Sequence, residues 1–126
     1  MNGETPDRFE YYFRFFADNL EEEFLNFLDP NLENSPIFSV ITQIELLSWK
    51  TSPEIEKSLV QFFETAHVIG LRKDISHACV GIRRAYSIKI PDAIIAATAL
   101  CEDLILVTKN SKDFTKIKGL RIYNIS

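Results

Sequence analysis

Acidic side chains stand beside apolar, β-branched runs that alternate with stretches of helical periodicity. The segments are Phe38-Ser-Val-Ile-Thr-Gln-Ile-Glu45-Leu-Leu, Lys89-Ile-Pro-Asp92-Ala-Ile-Ile-Ala-Ala-Thr and Leu104-Ile-Leu-Val-Thr108-Lys-Asn110-Ser-Lys-Asp113-Phe. Strands separated by helices pair in parallel through crossover connections, so this order predicts an α/β fold. The architecture expected is a three-layer sandwich around a mainly parallel central sheet. In such a sheet the carboxyl edge is where side chains from distant segments converge, and carboxylates there can share one divalent cation.

The rest of the chain fits that alternation. Asp18-Asn-Leu-Glu21 has the form of a capping box, and Leu20, Phe24, Phe27 and Leu28 follow at helical spacing before Asp29-Pro30. Ile37 to Thr42 reads as a buried strand leading into a short helix with Glu45, Leu46 and Trp49. Ser52-Pro53 opens a helix whose apolar face is Ile55, Leu59, Phe62 and Ala66. His67 to Leu71 reads as a strand. Asp74 is a candidate cap for a helix with Ile75, Cys79, Ile82 and Tyr86 on one face. Pro91 opens a helix whose Ala96, Ala97 and Ala99 allow close approach. Asp103 to Thr108 reads as a strand, Ser111 to Lys116 as a helical turn, and Leu120 to Ile125 as a last strand.

The length of 126 residues suits one domain spanning 1–126, within which residues 1–14 are atypical. No apolar run approaches the ~20 residues needed to span a bilayer, and the N-terminus lacks a basic start with an apolar core. A cytoplasmic protein without membrane contact is the expectation. Cys79 and Cys101 match no CxxC spacing and fall in apolar helical stretches, so both are expected as buried, reduced thiols.

Charge is unevenly spread. Residues 1–70 carry 4 Lys+Arg against 13 Asp+Glu, while residues 71–126 carry 10 against 5, which together give the net −4. A nucleic-acid contact from the second half, through Arg83, Arg84, Lys89, Lys109, Lys112, Lys116 and Lys118, is compatible with this split. A solvated surface explains it equally simply.

Taken singly, the acids also leave two readings open. Glu45 among Ile44, Leu46 and Leu47 is either a buried carboxylate that a cation compensates or an exposed group on a helix's polar stripe. Asp92, one residue after Pro91, is favoured in a helix's first turn by the macrodipole alone. Asp113 and Asn110 are ordinary turn residues as well as oxygen ligands. His67 and His77, ten residues apart, fit no zinc spacing and read as structural.

The three segments in this order resemble PIN-domain nucleases, most closely the VapC-type toxins of bacterial toxin–antitoxin pairs. The resemblance runs from about Phe15 to the C-terminus. It implies a PIN-like fold with Glu45, Asp92 and Asp113 as metal ligands and Asn110 completing the catalytic set. Thr108 and Thr42 would be supporting hydroxyls behind those groups. The implied activity is hydrolysis of RNA phosphodiester bonds with Mg²⁺ or Mn²⁺, which prefer hard oxygen donors and can activate a bound water. RNA contacts would come from Lys109, Lys112 and Arg84. The implied partners are an RNA substrate, a cognate antitoxin protein and a second copy in a homodimer.

The chain departs from the family pattern at its front. PIN domains usually begin with an apolar strand ending in Asp, a metal ligand, followed by Thr or Ser and Asn. Here Met1 to Pro6 is polar and no such motif follows. Asp7 and Glu10 are the nearest acids that could substitute. The aromatic run Phe9, Tyr11, Tyr12, Phe13, Phe15 and Phe16 fits a strand or a helix equally well. Three readings remain open: a VapC-type ribonuclease, with or without impairment by loss of its first acidic ligand; a non-catalytic PIN-fold protein that binds an antitoxin or RNA; and an unrelated α/β protein whose acids are only caps and surface charges.

Overall fold

A computed structural model describes residues 37–108 and 111–124. The capping box at Asp18, the aromatic run, Asp7 and Glu10 lie outside the described residues, as do Lys109, Asn110 and Ile125. The elements run β1 (Ile37–Ser39), α1 (Val40–Leu47), α2 (Pro53–Thr65), β2 (His67–Ile69), α3 (Lys73–Ala85), α4 (Ile90–Cys101), β3 (Leu106–Thr108) and β4 (Ile122–Asn124).

The strands pair in parallel, as the alternation with helices requires. β1 pairs with β2 in the register Ile37 to His67 and Ser39 to Ile69. β3 pairs with β4 in the register Leu106 to Ile122 and Thr108 to Asn124. Among the described residues these form two separate two-stranded ladders. The result is the α/β fold read from the sequence, with shorter strands than expected.

Strand β1 ends three residues earlier than its apolar run suggests. Ser39 caps α1, its Oγ accepting from the Ile41 backbone N–H at 3.1 Å, so Val40, Ile41 and Thr42 are helical. A local cap thus overrides the β propensity of three β-branched residues. Trp49 falls just beyond the helix. Ser52 caps α2 as the Ser-Pro pair predicts, its Oγ accepting from Ile55 N–H at 3.3 Å with Pro53 in the first turn.

One part of the core forms around a cluster of rings. Phe38 is fully buried and meets Phe62 and Phe63 edge-on, with centroids 5.7 and 5.3 Å apart. Leu46 and Leu59 complete this cluster. Edge-to-face pairs add about 0.5–1.5 kcal/mol each beyond area burial.

The larger cluster centres on α4. Ala93 to Ala99 are buried without interruption, which marks a helix packed on most of its circumference. Thr98 is the polar member of that run, and its hydroxyl donates back to the Ile94 carbonyl at 2.7 Å. Helix α3 lays Ile75, Cys79 and Ile82 against α4, in the most extensive helix contact among the described elements. Asp74 is a first-turn residue instead of the cap: Arg72 holds that place, and Asp74 accepts from Ile75 N–H at 2.9 Å.

A polar clasp closes one end of the α3–α4 pair. Arg72 bonds both carboxylate oxygens of Asp74 at 3.0 Å and also reaches Glu102 at the end of α4. The guanidinium holds the Asp74 carboxyl below the usual carboxylate range. Cys101 ends α4 and is exposed, contrary to expectation, because the buried run of the helix stops at Ala99. Cys79 is buried as expected.

Among the described residues two adopt left-handed backbone, one after α4 and one before β4. Asp103 (φ 55°) turns the chain from α4 toward β3, and Arg121 Nη2 bonds both its carbonyl and its carboxylate at 2.9 Å. Gly119 (φ 87°) turns the chain into β4, where a side chain would be strained although space exists beside Leu100.

Candidate active site

Asp92 owes its position to the start of α4. Lys89 stands at the N-cap and Pro91 in the first turn, a preset helical conformation that needs no N–H partner. The next residues turn into the core, leaving Asp92 half-buried at the helix's electropositive end.

Asp113 comes from the connection between β3 and β4. There Ser111 O accepts from Phe114 N–H at 2.9 Å and from Thr115 N–H at 3.0 Å, closing a short turn. Phe114 and Ile117 are buried beneath it, and Asp113 is left exposed on top. The apolar pair therefore anchors the turn that presents the carboxylate.

Two bonds join that turn to the loop between α3 and α4. Lys116 Nζ donates to the Ser87 carbonyl at 2.6 Å, and Lys118 N–H donates to Tyr86 Oη at 3.1 Å. Asp92 and Asp113, twenty-one positions apart, consequently line one cavity of about 620 Å³. Its other walls are Arg83, Lys89 and the Tyr86–Ile88 segment. Two acids and two cations share this open space.

The other expected site residues fall elsewhere. Glu45 is on α1 and is exposed, as are its neighbours Ile44 and Leu47, so burial is not what demands a cation there. It is not among the residues lining the Asp92–Asp113 cavity. Thr42 lies one turn before it and is fully buried, and its hydroxyl makes no hydrogen bond. Thr108 is buried at the carboxyl end of β3. Asn110 and Lys109 lie outside the described residues, as do Asp7 and Glu10. Lys112 is exposed on the Asp113 turn.

Arg84 and Arg83 differ although they are adjacent. Arg84 lines a second, more apolar hollow with Cys79, Val80 and Ile90. Arg83 touches both spaces, and its Nε donates to the Ile88 carbonyl at 3.1 Å. The sequence singles out Arg84 for RNA, but Arg83 and Lys89 are the cations beside the acids. Charge counting could not separate two neighbouring arginines, since the choice depends on where α3 stops.

The donor set fits one kind of ion better than others. Among the described residues no group of three His, Cys, Asp or Glu side chains is arranged to hold a metal. A closed zinc or calcium cage is therefore not present among them. Mg²⁺ behaves differently: it keeps several waters and is often held by one or two carboxylates plus substrate phosphate. Asp92 and Asp113 on one open cavity fit that mode. No helix among the described residues is long and apolar enough to cross a membrane.

Comparison with known proteins gives this geometry its family. The model of the PIN domain matches residues 11–120. A solved toxin–antitoxin complex from Klebsiella pneumoniae is 36% identical, with 71% of this chain and 75% of that chain covered and a TM-score of 0.61. DNA-bound VapBC from Salmonella typhimurium is 26% identical over 70% of this chain and 74% of that chain, with a TM-score of 0.62. VapBC2 from Rickettsia felis, bound to a DNA fragment from the promoter, is 23% identical, covers 84% and 86%, and has a TM-score of 0.65. No curated protein matches the chain in sequence. With the family model covering most of its length and the Asp92–Asp113 pair set on a parallel α/β frame, the chain belongs to the PIN domain family and is of the VapC type.

Proposed function

We propose that this chain is the toxin of a type II toxin–antitoxin pair and acts as a divalent-metal-dependent endoribonuclease. The observation that carries the reading is the shared cavity of Asp92 and Asp113, flanked by Arg83 and Lys89. A hydrated Mg²⁺ or Mn²⁺ held by the two carboxylates would supply a water of lowered pKa and neutralise charge on the phosphate. The protein's own part is to hold two oxygens in place and to meet the RNA backbone with cations. Glu45, Asn110 and one of Asp7 or Glu10 are proposed to complete the acidic set, with Thr42 and Thr108 behind it.

The partners proposed are RNA, a cognate antitoxin and a second copy of the chain, in the cytoplasm. The antitoxin is supported by the toxin–antitoxin complexes among the similar structures.

The test is cleavage of a mixed RNA panel in Mg²⁺ and Mn²⁺. The reading expects cleavage that chelator and Asp92→Asn each abolish. Cleavage indifferent to both would refute it. A second reading is a non-catalytic PIN-fold protein that binds an antitoxin or RNA. It is favoured by the pairing of only two carboxylates among the described residues, and it expects tight binding without turnover.

A further inference from the structure

Arg83 stands in the last turn of α3 with one of its five guanidinium donors already committed. Its Nε–H points to the Ile88 carbonyl, 3.1 Å away. That bond ties the guanidinium to the loop, and the Arg83 side chain lines the Asp92–Asp113 cavity as well as the neighbouring hollow. Lys89, at the N-cap of α4, lines the same wall.

Neither cation forms an ion pair with a carboxylate among the described residues. This contrasts with Arg72 and Arg121, which are both paired. Arg83 and Lys89 thus share one space with Asp92 and Asp113 and are in no ion pair among the described residues.

An RNA strand entering this space meets carboxylates that repel its backbone. One phosphate can be met by a metal at the acids, but its neighbour along the strand needs fixed positive charge. A guanidinium with both terminal nitrogens available suits a phosphate through paired hydrogen bonds, and an ammonium beside it adds a point charge.

We propose that Arg83 and Lys89 form a phosphate-binding subsite that holds the RNA backbone phosphate adjoining the one at Asp92 and Asp113. The Ile88 carbonyl acts as the anchor that aims Arg83. This rests on the RNA-cleaving reading above. It assigns the contact to Arg83 over Arg84, whose hollow is walled by Cys79, Val80 and Ile90 and carries no acid.

The test is equilibrium binding of a short fluorescent single-stranded RNA in chelator, which prevents metal-dependent cleavage, over a range of KCl. The unaltered chain, R83Q, R83K, K89Q and K73Q are compared, with circular dichroism to verify folding. Removing one protein cation from a phosphate of a single strand should reduce the slope of log K against log salt by about 0.7. R83Q and K89Q are expected to bind more weakly with slopes reduced by that amount. K73Q, at the far end of α3, should match the unaltered chain.

R83K should keep the slope but bind several-fold more weakly, because lysine cannot hold the Ile88 carbonyl and a phosphate together. Should R83Q not fold, R83K and K89Q still decide the matter. Unchanged slopes and affinities in the folded variants, with RNA still bound by the unaltered chain, would overturn the subsite and leave RNA cleavage standing. No RNA binding by the unaltered chain at low salt would also overturn the subsite, while the cleavage reading is decided separately by the assay in Mg²⁺ and Mn²⁺.

Discussion

Lys116 reaches across the molecule to donate its ammonium to the Ser87 carbonyl at 2.6 Å, and this bond joins the turn bearing Asp113 to the loop that leads to Asp92. With the Lys118 N–H to Tyr86 Oη bond it ties the two segments that line the cavity, since nothing in the local sequence of either brings the two acids together. Lys116→Met should therefore cost little stability, about 1 kcal/mol for an exposed bond. Displacement of a catalytic group by about 1 Å can cost ~10²-fold in rate, so RNA cleavage should fall far more than stability does. Thermal unfolding and initial rates on one preparation make the comparison.

Phe114 anchors the same turn from below and is almost completely buried. Phe114→Ala should destabilise the fold by about 3–5 kcal/mol, the range for truncating a buried aromatic ring. Urea unfolding followed by circular dichroism measures it. Phe114→Leu, which fills more of the space, should recover a large part of the loss.

The clasp at the other end of α3 gives a pH signature. Arg72 holds the Asp74 carboxyl below its ordinary range, so the ionised form is favoured in the folded state. A lowered folded pKa adds stability that is complete above the unfolded value, about 3.9, and is lost as pH falls through the folded value. Asp74→Asn should therefore lower the melting temperature by a constant amount at neutral pH, and the two proteins should converge in acid below that value. The group is exposed, so the effect is expected to be small and to shrink with salt.

The thiols should separate cleanly. Cys101 is exposed at the end of α4 and Cys79 is buried in the α3–α4 contact. Titration with a chromogenic disulfide should modify one thiol in the native protein and two after denaturation. Native labelling should be slower than for a free cysteine, because partial desolvation and the nearby Asp74 carboxylate push the Cys101 thiol up and less thiolate is present.

Much of this architecture is written locally. The Ser52-Pro53 pair and the Pro91-Asp92 pair mark where α2 and α4 begin, and the run from Ala93 to Ala99 announces a buried helix. Residues 37–42 are harder to read because three β-branched residues follow Ser39, whose side-chain cap decides for helix. The acidic pair is half legible: each position is a plausible turn or cap residue, and only the parallel frame brings Asp92 and Asp113 to one cavity. Arg83 and Lys89 do not stand out in the sequence from other basic residues of the second half. Their placement depends on the end of α3 and on bonds between residues about thirty positions apart, as for Lys118 and Tyr86.

The central claim is that Asp92 and Asp113 hold one metal ion between them. Calorimetric titration of the chain with Mn²⁺, compared with Asp92→Asn, Asp113→Asn and the double variant, tests it most directly. If the site is shared, each single substitution removes most of the affinity and the double removes little more, a coupling that independent sites do not produce. Mn²⁺ binding left intact by both single substitutions would contradict the account.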